Sequence, residues 1–335
     1  MRTPETNDLQ QSIMFEQRPK MAICYDFDRT LSPDDMQTFT LIPSFGIDAG
    51  EFWHESDNLA IEHLMDKNLA WMYELIKYSN FKGKSIRREY FKETGKNVKL
   101  YDGVVEWFEN INAYAEKFGI EVEHYIISSG LKEIIEGSEI AKYFKRIYAS
   151  SYMYSADGIA VWPAQVVNYT TKTQFIFRIA KGVLEEYDER VNDNMPKSKY
   201  SVPYRNIVYI GDSATDIPCM QLVKDRGGYS IGVYDPKSKN KKKVLGLFND
   251  DRLSFFAPAK YTENSTIFNY MKRVIEEIGA REKQKAEQEK LREQSEAYRK
   301  NETIKKVLKE NDVPLSGDER VLLESMIDKL DGING

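Results

Sequence analysis

Residues 23–31 read ICYDFDRTL, an apolar run that ends in two aspartates, Asp26 and Asp28, with one residue between them. In a β-strand alternate side chains point to the same side, so the two carboxylates would lie next to each other. At about 4 Å and an effective dielectric near 20, such a like-charge pair costs roughly 4 kcal/mol. The stretch therefore predicts a strand end at which a cation offsets the negative charge.

Similar strand ends occur later in the chain. VEHYIISSG reads as a buried strand that stops at Ser128 and Ser129, and RNIVYIGDS reads as another that stops at Asp212. Helical segments alternate with these strands, which predicts a parallel sheet with helices on both faces. Sites in such sheets lie beyond the carboxyl ends of the strands. We therefore expect these residues to converge with Asp26 and Asp28.

The donor types in this set favour a hard metal ion. Carboxylate and carbonyl oxygens without nearby His or Cys are typical ligands of Mg²⁺. Zinc is disfavoured because the histidines lie outside the cluster. These histidines are His54, His63 and His124.

A metal beside a strand-end carboxylate suits phosphoryl transfer. Aspartate can act as a covalent nucleophile toward phosphorus, and a second carboxyl can serve as general acid and then general base. A helix that starts at Ser129-Gly130-Leu131 would offer free N–H groups to phosphate oxygens.

Four motifs, in order, resemble those of the haloacid dehalogenase superfamily. DFDRT is similar to D-x-D-x-T, YIISSG to the apolar strand that ends in Ser or Thr, and YIGDSATDIPCM to G-D-x-x-x-D, while Lys172 resembles the third-motif lysine. Order and spacing agree across residues 20–260. The resemblance, which is to the phosphoserine phosphatase-like branch, implies an α/β fold with a doubly wound, mostly parallel, Rossmann-like sheet.

The resemblance also implies catalytic roles. Asp26 would be the nucleophile that forms an aspartyl-phosphate, and Asp28 the general acid and base. An acid at position 28 points to phosphatase or phosphomutase chemistry, since the dehalogenase branch lacks it. Lys172 would also steady Asp26. The implied phosphate-binding residues are Ser128, Ser129, Gly130 and Lys172.

A magnesium site is implied in the same way. Asp28 would reach the ion through its backbone carbonyl and Asp212 through its side chain, with Asp216 as a further ligand or as a support for one. The implied metal-site residues are Asp26, Asp28, Asp212 and Asp216.

The insertion between the first and second motifs resembles the mobile helical cap of this family. It includes residues 58–79, whose apolar positions approximate a 3.6-residue period. Its tryptophans, Trp53 and Trp71, are expected to be packing residues, and a later hairpin should turn at Asp157-Gly158. The expected layout is a polar arm at 1–19, a core at 20–33 and 100–279, a helical cap at 34–99 and a charged helical extension at 280–335.

Composition narrows the class of partner. The 335 residues carry a net charge of −5, so no overall basic field recruits nucleic acid. No run of 18 apolar residues predicts a membrane span. With two cysteines no disulfide framework is expected, and a cytoplasmic location follows. The charged helix at 281–310 leaves open a homo-oligomer through weak helix pairing.

Three functions remain open at this point. The leading interpretation is a Mg²⁺-dependent phosphatase that hydrolyses a small phosphorylated metabolite through an aspartyl-phosphate. A phosphomutase or phosphotransferase would use the same residues. A scaffold or binding protein with a vestigial site would keep the fold without the turnover.

Overall fold

A seven-stranded sheet runs through the part of the chain that the structure describes. The computed structural model describes residues 18–237, 241–310, 316–322 and 325. The strands are β1 (Lys20–Tyr25), β2 (Glu121–Leu131), β3 (Phe144–Tyr154), β4 (Ala160–Gln165), β5 (Ile207–Gly211), β6 (Tyr229–Tyr234) and β7 (Phe255–Pro258). Their order is β4-β3-β2-β1-β5-β6-β7, and only β3 and β4 pair antiparallel. The predicted doubly wound, mostly parallel sheet is confirmed.

Ten α-helices connect these strands or follow them within the described residues. They are α1 (Met36–Phe39), α2 (Ala49–Glu62), α3 (Lys67–Phe81), α4 (Arg88–Gly95), α5 (Val104–Glu116), α6 (Lys132–Gly137), α7 (Tyr169–Lys181), α8 (Ile217–Asp225), α9 (Lys241–Asn249) and α10 (Thr266–Glu310).

The central strands are apolar on both sides. Every residue from Met21 to Tyr25 in β1 is buried, and so is all of β5. Such strands lack polar alternation because helices cover both faces of a parallel sheet. In the register, Tyr25 pairs with Ile126 of β2 and with Ile210 of β5. The carboxyl ends of these three strands therefore lie at the same edge.

The insertion between β1 and α5 is helical, as predicted, but its periodic stretch at 58–79 is not one helix. The chain breaks between α2 and α3, where Leu64 has a φ of 52° and is 94% exposed. Asp66 then starts α3, because its side chain accepts hydrogen bonds from the N–H groups of Asn68 and Leu69. Apolar spacing continued across the break, whereas the capping aspartate decided where the new helix begins.

The insertion is packed closely against the core. Helix α4 crosses α6 where both carry glycine, and a Cβ at Gly95 or Gly137 would collide with the backbone of the other helix. On the opposite side, the Tyr152 hydroxyl donates to the Met72 carbonyl at 2.7 Å. Residues up to Glu276 form one compact unit. Whether residues 34–99 move as a cap stays a prediction.

Two further helices are shorter than predicted. The stretch at 131–144 was expected to be helical throughout, yet α6 ends at Gly137 and only a short 3-10 turn follows. Helix α7 ends at Lys181 because Gly182 takes a left-handed conformation with a φ of 74°. The hairpin prediction is confirmed, since β3 and β4 turn at Asp157 and Gly158.

A second unit begins at Glu277 and contains the rest of α10. The predicted helix at 281–310 is present and exposed, with Leu291 64% and Tyr298 57% accessible. Lys285 and Glu289 form an (i, i+4) ion pair at 3.4 Å. Within the described residues, no helix has the length and apolar character needed to cross a membrane. The calls on 1–17 and on most of 311–335 lie outside the described residues.

Candidate active site

Three buried aspartates meet at the carboxyl edge of the sheet. Asp26 directly follows β1, Asp212 directly follows β5, and Asp216 lies at the start of α8. Each offers a carboxylate oxygen within 4.8 Å of the others, and their exposures are only 5%, 4% and 0%. The convergence predicted from the strand ends is therefore present in the structure.

Lys172 lies inside this cluster. Its ammonium nitrogen is 2.7 Å from Asp216 Oδ1 and 3.3 Å from Asp26 Oδ1, and the residue is fully buried. Burial acts to lower the pKa of Lys172, but the charges of Asp216 and Asp26 outweigh it and raise the pKa well above its ordinary value. The lysine is thus a fixed positive charge between two carboxylates.

Asp216 uses both of its carboxylate oxygens to hold the surrounding structure. Oδ1 accepts from Lys172 and from the Tyr209 hydroxyl at 2.8 Å. Oδ2 accepts from the backbone and side chain of Ser213, each at 3.0 Å, and from the Asp212 N–H at 3.3 Å. Burial acts to raise the pKa of Asp216, yet Lys172 and these donors hold it below its usual range.

Asp26 and Asp212, by contrast, have carboxylate oxygens without a protein donor. Asp26 Oδ1 accepts from the Phe27 N–H at 2.8 Å and faces Lys172. No donor among the described residues forms a hydrogen bond with Asp26 Oδ2 or with the carboxylate of Asp212. Buried, anionic oxygens without donors fit a hard divalent cation, and Mg²⁺ is the common choice.

The charge balance supports the same fit. Burial and the neighbouring charge of Asp216 raise the pKa of Asp26 to about 7, against the opposing charge of Lys172. Burial also raises the pKa of Asp212, with further contributions from Asp216 and Asp26. One lysine therefore does not neutralise three carboxylates, and a cation between Asp26 and Asp212 would keep both ionised.

Asp28 lies apart from the three-carboxylate group. Its Oδ1 accepts from the Met36 N–H at 2.8 Å, and the residue is only partly buried. Burial raises the pKa of Asp28, and the charges of Asp35 and Asp26 add to the shift. A carboxyl that holds its proton near neutral pH suits general acid catalysis.

The phosphate-binding prediction at residues 128–130 needs one correction. Strand β2 continues through this segment to Leu131 with an irregular register against β3, and helix α6 starts only at Lys132. The expected helix start at Ser129-Gly130-Leu131 is therefore wrong. Ser150 on β3 holds the segment extended, because its hydroxyl donates to the Ser129 carbonyl at 3.0 Å.

The local hydrogen bonds change which atoms remain free. The Gly130 N–H already donates to Ser128 Oγ at 3.1 Å, so it is not a free helix amide. Ser128 is fully buried and keeps its own hydroxyl hydrogen to donate. Ser129 Oγ is buried without a hydrogen-bond partner in the described residues. Gly130 lies against Asp28, since a Cβ there would be 2.9 Å from Asp28 Oδ2.

A pocket that the sequence did not reveal opens beside Asp28. Its volume is about 230 Å³, and its floor includes Ser129 and Gly130. The insertion supplies the walls, among them Trp53 and Trp71, which were expected to be packing residues. Gln37, also in the wall, carried no sequence signal. The nearest clue is its place in the insertion, one residue after Met36.

Taken together, the fold and site define an α/β hydrolase-type protein with a strand-end cluster of aspartates and one buried lysine. Residues 23–221, more than half of the chain, match the family model of the haloacid dehalogenase-like hydrolases. The chain belongs to this family, which confirms the superfamily and the hydrolase class predicted from the four motifs. It is also 29% identical over 286 residues to an uncharacterized protein of Borreliella burgdorferi, covering 77% of this chain and 97% of that protein.

Several solved structures are similar to this one. A probable phosphoserine phosphatase from Vibrio cholerae has a TM-score of 0.49 and 12% identity, covering 84% of this chain and 75% of that one. A family hydrolase from Salmonella enterica serovar Typhi has a TM-score of 0.47 and 14% identity, with 76% of each chain covered. A phosphoserine phosphohydrolase-like protein from Francisella tularensis has a TM-score of 0.44 and 18% identity, with 71% and 94% covered. Identity at this level transfers no substrate to this chain.

Proposed function

We propose that this protein is a Mg²⁺-dependent phosphatase that hydrolyses a small phosphomonoester through a phosphorylated Asp26. The observation that carries the proposal is the unequal use of three buried carboxylates. Asp216 is fully engaged and fixes Lys172, whereas Asp26 and Asp212 keep oxygens without a protein donor. Such an arrangement supplies a nucleophile, a metal site and a fixed cation in one place.

The two chemical steps follow from the positions of Asp26 and Asp28. In the first, the Asp26 carboxylate attacks phosphorus while the bond from phosphorus to the alcohol oxygen breaks. The Asp28 carboxyl gives its proton to that oxygen, and the alcohol leaves. In the second, Asp28 takes a proton from water, whose oxygen attacks phosphorus, and the bond to Asp26 breaks to release inorganic phosphate.

The remaining residues hold charge and orientation. Lys172 places a positive charge beside Asp26 and so favours its ionised form. Ser128 offers its hydroxyl hydrogen to a phosphate oxygen, because its Oγ already accepts from Gly130. Mg²⁺, held by Asp26, Asp212 and the Asp28 backbone carbonyl, would offset the negative charge of the phosphoryl group. In this scheme Asp216 supports the site and is not itself a ligand.

The proposed layout keeps residues 34–99 as the cap that covers the substrate, over a core at 20–33 and 100–279 and followed by a charged extension at 280–335. The pocket walls come from this insertion, which supports a role in substrate choice. Cys24 and Cys219 are buried, unpaired thiols, which supports the proposal of a reducing, cytoplasmic location.

The test is phosphate release from p-nitrophenyl phosphate by the full chain. We expect turnover with Mg²⁺, none in excess chelator, and a loss of about 1,000-fold or more in Asp26→Asn. The exposed Asp250→Asn is the matched control and should retain wild-type turnover.

Each contrary result points to a different conclusion. Full turnover in chelator would refute the metal, and near-wild-type turnover in Asp26→Asn would refute the nucleophile. Transfer of the phosphoryl group to a second position of a sugar phosphate, without phosphate release, would favour a phosphomutase. Absence of any turnover would favour a scaffold protein.

A further inference from the structure

The pocket beside Asp28 is small. Its volume of about 230 Å³ lies below the range of roughly 300–1,000 Å³ that is typical of pockets for drug-sized ligands. Asp28, Ser129 and Gly130 line its floor, so the alcohol that leaves in the proposed reaction would occupy it. A nucleoside is too large for this space, which limits the leaving group to a few heavy atoms.

Three buried polar atoms of the pocket residues have no hydrogen-bond partner among the described residues. They are Gln37 Oε1, Trp53 Nε1 and Ser129 Oγ. Gln37 is only 3% exposed. A buried polar group without a partner is unfavourable, and a concentration of such groups in one pocket is expected where a ligand completes them.

The second tryptophan of the pocket shows the contrast. The Trp71 Nε1–H donates to Asn68 Oδ1 at 3.3 Å, so its hydrogen-bonding capacity is already satisfied within the protein. Its ring lies 6.3 Å from the ring of Trp53 in an edge-to-face arrangement. The two tryptophans therefore share an apolar wall, but only Trp53 offers a donor to a ligand.

The charged groups of the pocket are already paired. Lys67 is 2.8 Å from Asp57, and Asp35 is 2.8 Å from Arg29. Asp28 is the proposed general acid. Among the described lining residues, no cation is left to bind a carboxylate or second phosphate of the substrate, and no carboxylate besides Asp28 is left to bind an ammonium group.

We propose that this pocket selects a small, uncharged alcohol that carries a free hydroxyl, and that Gln37 and Trp53 determine this specificity. A hydroxyl can donate to Gln37 Oε1 and accept from Trp53 Nε1–H at the same time. It also suits either end of the Gln37 amide. The inference deepens the proposed phosphatase function, on which it rests, by naming the substrate class as small polyol monophosphates.

The first experiment compares kcat/KM of the wild-type protein across four phosphomonoesters. Glycerol phosphate is neutral on its alcohol side, phosphoserine adds a carboxylate, phosphoethanolamine adds only an ammonium group, and a nucleoside monophosphate is bulky. We expect glycerol phosphate to exceed each of the others by about 10-fold or more, because the paired charges and the volume disfavour them. A preference for any of the other three would overturn the inference.

The second experiment uses variants and a ratio. Phenyl phosphate has no hydroxyl on its leaving group, so the ratio of kcat/KM for glycerol phosphate to that for phenyl phosphate isolates the proposed hydrogen bonds. Gln37→Met and Trp53→Phe should each lower this ratio about 10-fold, since each removes one hydrogen-bonding group at similar volume. Trp71→Phe should leave the ratio at its wild-type value.

The outcomes separate this inference from the proposed function. An unchanged ratio in Gln37→Met and Trp53→Phe, or an equal fall in Trp71→Phe, would refute the specificity roles while phosphatase activity stands. Failure of the wild-type protein to hydrolyse phenyl phosphate at all would refute the proposed function, and the inference with it.

Discussion

Replacing Lys172 with methionine should expose the electrostatic cost of the aspartate cluster. The Lys172 ammonium is fully buried and lies 2.7 Å from Asp216 and 3.3 Å from Asp26. Methionine keeps a long apolar side chain, so little packing is lost. The substitution leaves two buried carboxylates without their shared cation.

The magnitude follows from the distances and the burial. At an effective dielectric near 20, the two attractions are worth roughly 5–6 kcal/mol each, and the burial of the ammonium offsets much of this. Removal of one partner from a buried ion pair usually costs about 3–5 kcal/mol of unfolding free energy. We expect a loss in this range for Lys172→Met without metal at pH 8.

The loss should shrink as the pH falls. The pKa of Asp26 is already about 7 with Lys172 present, and loss of the lysine raises it further. A raised folded-state pKa means that the native protein binds the proton more tightly, so ionisation of Asp26 lowers stability as the pH rises. Below that pKa the protonated Asp26 no longer needs a cation, and only Asp216 remains uncompensated.

The assay is urea unfolding, followed by tryptophan fluorescence, at pH 8 and pH 5 in excess chelator. The surface pair of Lys92 with Glu136, at 2.9 Å, supplies the control, and Lys92→Met should cost less than about 1 kcal/mol. In a double-mutant cycle, Lys172→Met and Asp216→Asn should couple by about 2–3 kcal/mol. A loss under about 1 kcal/mol for Lys172→Met, or strict additivity with Asp216→Asn, would refute the reasoning.

Two further predictions concern Gly130 and His124. Gly130→Ala places a Cβ 2.9 Å from Asp28 Oδ2 and against Met36, so phosphate release should fall about 10-fold or more with little change in melting temperature. Gly246→Ala, which has nothing within 4 Å, is its control, and equal activity of both variants would contradict the close approach. Burial lowers the pKa of His124 to about 3, so the unfolded chain gains a proton below about pH 6.5 that the native protein does not. Unfolding free energy should therefore fall by about 1.4 kcal/mol per pH unit below that point; His124→Gln should lack this component in urea titrations at pH 7 and 5, and parallel slopes would argue against it.

Much of the architecture could be predicted from the sequence. Asp26 and Asp212 are far apart along the chain, but each directly follows an apolar run of strand length. Parallel strands in one sheet align their carboxyl ends, so this local pattern was enough to bring the two side chains together. The position of Lys172 came from the family motif, since a lone lysine in a helical segment carries no signal of burial.

Local patterns failed where two elements competed for the same residues. Ser129 and Gly130 favour the start of a helix, yet pairing with β3 keeps them in the bulged end of β2. The apolar spacing of residues 58–79 continued through a break that Asp66 and the exposed Leu64 create. In both cases the decisive interaction is made with atoms that the periodicity does not report.

The sequence by itself determined the order of the strands and helices, the edge at which the acids lie and the family to which the chain belongs. Only the tertiary structure decided which oxygens of these acids are free. Asp216 differs from Asp212 because Tyr209, Lys172 and Ser213 all donate to it, and no pattern along the chain reports that. The same holds for Gln37 and Trp53, whose unpartnered polar atoms matter only because folding buries them beside Asp28. Hydrophobic periodicity fixes which side of an element is buried, whereas hydrogen-bond satisfaction depends on neighbours that only the complete fold brings into place.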